Sequence, residues 1–168
     1  MNTTRNLVTL GAIALLMGVT LDAKAVTASA QIYVNISRHI TMINVADLSF
    51  GDISVNNTAG SVMINADGSR QVNGGVTLGG NGMFQPARFV IEGAPNISFV
   101  LSFPELVEMT DGQGNTIRVD KFNTNTPLEG LVGSSGTQEL NLGGRLNLDA
   151  NQPTGAYSGT VNVELEYR

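Results

Sequence analysis

The chain has 168 residues with 9 basic and 14 acidic side chains, one histidine, no cysteine and a net charge of −5. That balance argues against a nucleic-acid-binding surface, and the missing cysteine excludes disulfides, thiolate nucleophiles and cysteine-ligated metal. Twenty glycines and only 14% charged residues, with abundant Asn, Thr, Ser and Val and no helical periodicity, point to an all-β protein.

In chain order, the first expectation is a targeting segment. Arg5 precedes an apolar run from Leu7 to Leu21 without charge, and Asp22-Ala23-Lys24-Ala25 follows with Ala23 and Ala25 in the small-x-small cleavage pattern. About 15 apolar residues fall short of the roughly 20 that cross a bilayer as a helix. Residues 1–25 are therefore expected to be a signal peptide, leaving no membrane span in the mature chain. Its removal leaves 7 basic and 13 acidic residues in 143.

Val26, Ala28, Ala30, Ile32, Val34 and Ile36 then alternate with polar residues, and the pattern resumes at Ile40 and Met42 after Ser37-Arg38-His39. A run that long exceeds an ordinary strand, whose usual length is about 5 to 6 residues. It divides into an N-terminal extension, 26–36, and a first body strand within 40–50. Short strands follow at Val62–Asn65, Gln71–Leu78, Phe84–Glu92, Ile97–Phe103, Val107–Thr110 and Thr116–Phe122. They are punctuated by Asp67-Gly68-Ser69, Gly79-Gly80-Asn81-Gly82, Gly93-Ala94-Pro95-Asn96 and Asp111-Gly112-Gln113-Gly114. Residues 123–136, with Pro127, read as a polar loop. Gln138–Leu148 alternates leucines around Gly143-Gly144, where a bulge is expected. The last stretch places Tyr157, Gly159, Val161, Val163, Leu165 and Tyr167 on one face and polar residues on the other. Seven to nine strands at this spacing predict one immunoglobulin-like β-sandwich domain over residues 37–168.

No set of residues supports catalysis. His39 is the single candidate general base and stands where two strands join. Glu105 and Glu108, three residues apart at a strand start, read as surface decoration rather than a glycosidase pair. Asp111, Gln113, Asn115 and Asp120 resemble an oxygen-ligand calcium loop, but the glycine is misplaced and no bidentate Glu closes the loop. The Gly74–Gly82 cluster lacks the Lys-Ser/Thr of a phosphate cradle. No enzyme activity, cofactor or metal is expected.

What remains are the two ends of the mature chain. Gly155, fourteenth from the end, the penultimate Tyr167 and the apolar alternation between them resemble the terminal strand of pilin subunits assembled by the bacterial chaperone-usher route. Residues 26–37, V-T-A-S-A-Q-I-Y-V-N-I-S, look like the donor strand of the archaic branch of those pilins. Leu48-Ser49-Phe50-Gly51 and Gly155-Ala156-Tyr157-Ser158-Gly159-Thr160 are similar to a family of small secreted β-sandwich proteins of unassigned function, related to spore-coat and pilin subunits.

The resemblance implies a pilin-like sandwich exported through the periplasm to the cell surface and built into a fimbria-like fibre. A periplasmic chaperone and an outer-membrane usher are the implied helpers, and like subunits the head-to-tail partners. It makes Val26, Ala28, Ala30, Ile32, Val34 and Ile36 the donor positions. Gly155, Tyr157, Val161, Val163, Leu165 and Tyr167 become the chaperone-binding or polymer-edge strand. The alternative is a monomeric secreted or periplasmic sandwich that binds carbohydrate or protein through loops 79–85 and 123–136, its leading segment paired within its own sheet.

Overall fold

The computed structural model describes residues 29–35, 39–80 and 82–167. The chain divides into two units, Met1–Asn35 and Ile36–Arg168. The expected signal peptide, its cleavage positions Ala23 and Ala25, and the positions Val26, Ala28 and Ile36 lie outside the described residues.

Of the first unit, residues 29–35 carry no strand. Ile32, Tyr33 and Val34 are 94%, 85% and 79% exposed, so three adjacent large apolar side chains stand in solvent.

Among its described residues the second unit is all-β, with ten strands in two antiparallel sheets that make a β-sandwich. They are β1 (Ile40–Ala46), β2 (Ile53–Ile64), β3 (Arg70–Leu78), β4 (Ala87–Gly93), β5 (Ser98–Ser102), β6 (Leu106–Thr110), β7 (Thr116–Thr124), β8 (Glu129–Leu131), β9 (Thr137–Leu148) and β10 (Glu164–Tyr167). The larger sheet runs β1-β4-β9-β2-β3, with β7 on the other edge of β9 and β6 beyond it; the smaller runs β10-β5-β8.

β9 organises the body. Its first half, Thr137–Leu142, pairs with β4, and its second half, Gly144–Leu148, pairs with β2 along the same edge. The opposite edge carries β7 from Leu142 to Asn147. Leu140, Leu142, Leu146 and Leu148 are all buried, as period-2 alternation requires, so one strand contributes to both ends of the interior. One apolar cluster holds Ile91, Ile97, Phe99, Leu101, Val132 and Leu140, closed by Ile40 and Met42 from β1 and by Val163 and Leu165. The other holds Phe50, Val62, Ile64, Ile117, Val119, Leu146 and Leu148.

The Gly143-Gly144 pair works differently from the expectation of a bulge in β9. The extra residue lies across the ladder in β7, where the register slips between Asp120 and Asn123 and Lys121 takes a φ of 46°. The glycines permit close approach on both edges, Gly143 to the end of β2 and Gly144 to β7. A Cβ on Gly143 would stand 2.2 Å from the Ile64 carbonyl oxygen, and one on Gly144 3.0 Å from the Phe122 ring. Beside the slip, Arg145 donates two bonds to Asp120, at 2.8 and 2.7 Å, with both side chains 28% exposed.

Three further elements depart from the sequence reading. The strand expected at Val62–Asn65 starts at Ile53, because Asn56–Ala59 bulges out of the β2–β3 ladder between Val55 and Gly60, and the polar run Asn56-Asn57-Thr58 masks the continuity. The loop expected over 123–136 contains the edge strand β8. The closing strand expected from Tyr157 forms a regular ladder over Glu164–Tyr167 alone, preceded by an isolated bridge from Ser158 to Thr110.

Two outcomes test this frame. Gly143→Ala drives a methyl group into backbone rather than into a movable side chain, and should cost about 1–3 kcal/mol in denaturant unfolding. The Arg145 guanidinium hydrogen-bonded to Asp120 holds the Asp120 carboxyl below its ordinary value of 3.8. A depressed folded value means that the pair's stabilisation is fully present above pH 3.8 and is lost as pH falls through the folded value. Asp120→Asn should therefore cost about 1 kcal/mol at neutral pH, with the difference from wild type shrinking below pH 3.8.

Candidate functional site

The sheet that curls around the second cluster does not close. On one side, residues 44–55 are paired along a single edge: β1 with β4, Ser49 with Gln85, and Ile53–Val55 with β3. Their other edge meets no strand among the described residues. On the facing side, residues 152–161 touch β6 through the reciprocal bonds of Ser158 and Thr110, both 2.9 Å, and their far edge is likewise unmatched. Between these two banks lies a trough.

The trough has two compartments that meet at Tyr157. The smaller, about 420 Å³, lies between Asn44–Phe50 and Tyr157–Val161 over a floor that includes Phe89, Val107, Val119 and Phe122. The larger, about 780 Å³, lies between Leu48–Val55 and Gln152–Tyr157 over Met109, Ile117, Leu146 and Leu148. Its far end is marked by a 3.0 Å bond from the Asn151 amide to the Asn56 carbonyl. The floor combines side chains of the Phe50–Ile117–Leu146 cluster or packed against it with Phe89 of the other cluster; Ile117, Val119, Leu146 and Leu148 are themselves buried, whereas Val107, Met109 and Phe122 are partly exposed.

Both banks are held in place. Ser49 donates its hydroxyl to the Met83 carbonyl at 2.8 Å, and Arg70 lies 3.8 Å over the Phe84 ring while donating to the Phe50 carbonyl at 3.3 Å. Gly51, at φ 75°, packs against the Gly82 carbonyl. On the other bank the Tyr157 hydroxyl donates to the Pro153 carbonyl at 2.8 Å and accepts from Gln152 Nε2 at 3.1 Å. Gly159 permits the close approach to β6, since a Cβ there would stand 2.9 Å from the Glu108 carbonyl oxygen.

The residues singled out in the closing stretch divide between two places. Gly155, Tyr157 and Val161 line the trough, whereas Val163 and Leu165 cover the other cluster, which β1 closes. Tyr167 stands opposite Phe99 on the inward face and is about half exposed. The bank over 48–55 and the floor residues Met109, Ile117, Leu146 and Leu148 were not among the sequence candidates. The change of parity at Leu48 and Phe50 was the available signal. Of the donor positions, Ala30, Ile32 and Val34 are described and exposed.

The other candidates resolve into local structure. Asp111 Oδ1 accepts from the Gln113 and Asn115 amides and Oδ2 from the Asn115 side chain at 2.6 Å. The Asn115 bond holds its carboxyl below the ordinary value, as in a plain Asx-type turn. Glu108 pairs with Arg118 at 3.4 Å on the surface. His39 is exposed at the start of β1. Among the described residues no three His, Asp or Glu side chains converge on a metal position, and no helix is long and apolar enough to cross a membrane.

If Gly159 seats the second bank, Gly159→Val should lift residues 157–161 away from β6. Hydrogen exchange at the Ser158 and Thr110 amides should then accelerate by at least tenfold while exchange in β9 stays unchanged. Equal protection in the variant would remove Gly159 from this role.

No curated protein and no solved structure matches the chain. Residues 40–167, which span both sheets and both banks of the trough, match the family described as Domain of unknown function (DUF4402), and the chain is a member of that family.

Proposed function

We propose that this protein is a structural subunit of a bacterial surface fibre, assembled when the leading segment of one copy fills the trough of the next. The observation that carries the reading is the vacant strand position: two facing strand edges without partners above an apolar floor. Unpaired edges of this kind accept an extended peptide by β-strand addition, with main-chain bonds giving affinity and alternate side chains giving selectivity.

The occupant proposed is the segment Val26–Ile36 of a second copy. Its eleven residues span about 36 Å at strand rise, enough to run the length of the ten-residue bank 152–161. It offers one apolar face, and the described part of it is exposed. Burying Ile32, Val34 and Ile36 contributes on the order of 2 kcal/mol each. The order of side-chain sizes suits a strand antiparallel to the closing stretch. The bulky Ile32, Val34 and Ile36 then fall in the 780 Å³ compartment and the small Ala28 and Ala30 lie near Tyr157 and the 420 Å³ compartment.

The same geometry weighs against self-filling. A segment that turned back at Ser37–His39 to pair with its own β1 would set Ile36 beside Ile40 and Val26 beside Phe50. It would stop short of Gly51–Val55 and leave the larger compartment open. Donation to a neighbour has no such limit. Because donor and acceptor surfaces differ, each contact leaves another of each available, and the assembly propagates. Export, a periplasmic chaperone that covers the trough in transit and an outer-membrane usher belong to this reading through the pilin resemblance. The protein has no catalytic role in it.

The test is deletion of Val26–Val34 from the mature chain. The wild type should form polymers that resist dissociation in cold detergent and break down on heating. The deleted chain should remain monomeric and bind a synthetic Val26–Ser37 peptide. Polymers from the deleted chain would reject the donor assignment. A wild-type chain that stays monomeric without a chaperone would favour the binding-module alternative.

A further inference from the structure

A second cavity lies on the other face of the larger sheet. One edge of β9 is shared end to end by β4, along Thr137–Leu142, and β2, along Gly144–Leu148. Where the two strands meet, the chain leaves β2 in the turn over Ala66–Gly68 and enters β4 through Gln85 and Pro86, and a notch of about 210 Å³ opens between them over Asn141. β4 turns Ala87 and Phe89 to the trough and Arg88 to the notch, as alternate residues of a strand must. The two sites are therefore separate.

The notch brings together polar groups that lack partners. Arg88 stands directly opposite Asn141 in the ladder, and Glu139 lies two residues along β9 on the same face, about 7 Å away at strand rise. Arg88 and Glu139 are exposed, and among the described residues neither side chain hydrogen-bonds or forms an ion pair. Asn141 Oδ1 is buried without a donor. Native structures rarely leave a buried acceptor in that state, so the oxygen calls for an N–H or O–H from outside the chain. Asp67 completes the rim, its carboxyl held below the ordinary value by the Ser69 hydroxyl and amide.

The walls are fixed independently of any occupant. Asn123 Oδ1 accepts from the Ala66 amide at 2.8 Å, which anchors the turn, and Gln85 Nε2 donates to the Asp47 carbonyl at 3.3 Å, which anchors the entry to β4.

We propose that this notch binds a free α-amino acid with a small side chain, its carboxylate on the Arg88 guanidinium and its ammonium shared between Asn141 Oδ1 and the Glu139 carboxylate. A guanidinium holds a planar carboxylate through two parallel bonds. The buried amide oxygen and the nearby carboxylate are acceptors only, which suits the three N–H donors of an ammonium. Charge decides between ligands of similar shape. Asp67 and Glu139 outnumber Arg88, so a hydroxy acid or sugar acid would add a further negative charge to a lining that is already negative, whereas a zwitterion adds none. The volume is below the roughly 300–1,000 Å³ of pockets for drug-sized ligands, which favours a molecule of a few heavy atoms. A bare cation fits poorly beside Arg88, and no three acidic or histidine side chains converge there among the described residues.

The experiment is equilibrium dialysis of isotope-labelled L-alanine and L-serine against the mature chain, which reads binding whether the chain is monomeric or assembled. Both should bind saturably. Arg88→Gln and Asn141→Leu should each weaken binding about tenfold or more, the scale of a lost bond to a charged group. Both variants keep the main-chain bonds that tie residue 141 to Asn125, and should unfold in denaturant at the wild-type midpoint. L-Lactate, which lacks the ammonium, and ethylamine, which lacks the carboxylate, should each compete about tenfold or more weakly than unlabelled L-alanine. Uptake that never saturates would mean that the notch holds water only and would overturn the proposal. So would binding unchanged in Arg88→Gln, or L-lactate that competes as well as L-alanine. None of these outcomes touches strand addition, which uses the opposite face of β4.

Discussion

The structure depends on one unsatisfied requirement, that every strand edge beside an apolar interior find a partner. Backbone amides and carbonyls left open next to buried side chains cost free energy and offer a template to any extended chain. In this body two strand edges that face each other across apolar side chains, residues 44–55 and 152–161, have no strand between them among the described residues. The gap is localised because the two banks are pinned independently. One is held by Gln85, Met83 and the Arg70–Phe84 stack. The other is held by the Ser158–Thr110 bridge and the Tyr157–Pro153 bond. A gap with fixed walls keeps its width, whereas a gap with loose walls would collapse on its own floor.

The interior explains why one end of the sandwich is closed and the other open. Around Ile91, Phe99 and Leu140 the two sheets face one another, and Ile40, Met42, Val163 and Leu165 complete the cover. Around Phe50, Ile117 and Leu146 there is no second sheet. The larger sheet must curl on itself, helped by the slip at Lys121 and the bulge at Asn56–Ala59. Bulges increase local twist and bend a strand, which lets β3, β2, β9, β7 and β6 wrap most of the cluster. The closing stretch adds one further contact through Ser158, and the last position in the circuit stays vacant. The ladder of β10 fails to extend back to Tyr157 on the side where no neighbour is present to complete it.

Without disulfides, the stability of such a body comes mainly from burial and sheet hydrogen bonds, with the Arg145–Asp120 pair adding to them. Ile117, Val119, Leu146 and Leu148 are already buried in the body, so a strand added to the trough would cover chiefly the partly buried Leu48, Val107, Met109, Phe122 and Tyr157.

Much was legible in the amino-acid sequence itself. Period-2 alternation and glycine punctuation determined an all-β sandwich, and most strand cores, hairpin turns and inward leucines of β9 followed from local rules that act within a few residues. The alternation of Tyr157–Tyr167 likewise marked the closing stretch as strand-forming, which the ladder over Glu164–Tyr167 bears out in part, whereas residues 29–35 of the alternating Val26–Ile36 carry no strand. Tertiary structure alone decided which edges went unpaired. Tyr157–Tyr167 is uniform as a pattern, yet Val163 and Leu165 cover a closed cluster while Tyr157 and Val161 line an open one, because their long-range neighbours differ. The second bank at Leu48–Val55, the floor at Met109, Ile117, Leu146 and Leu148, and the displacement of the bulge from Gly143-Gly144 into β7 have the same origin. Each depends on contacts between residues tens of positions apart, and alternation specifies which face of a strand is apolar but never which strand lies next to it.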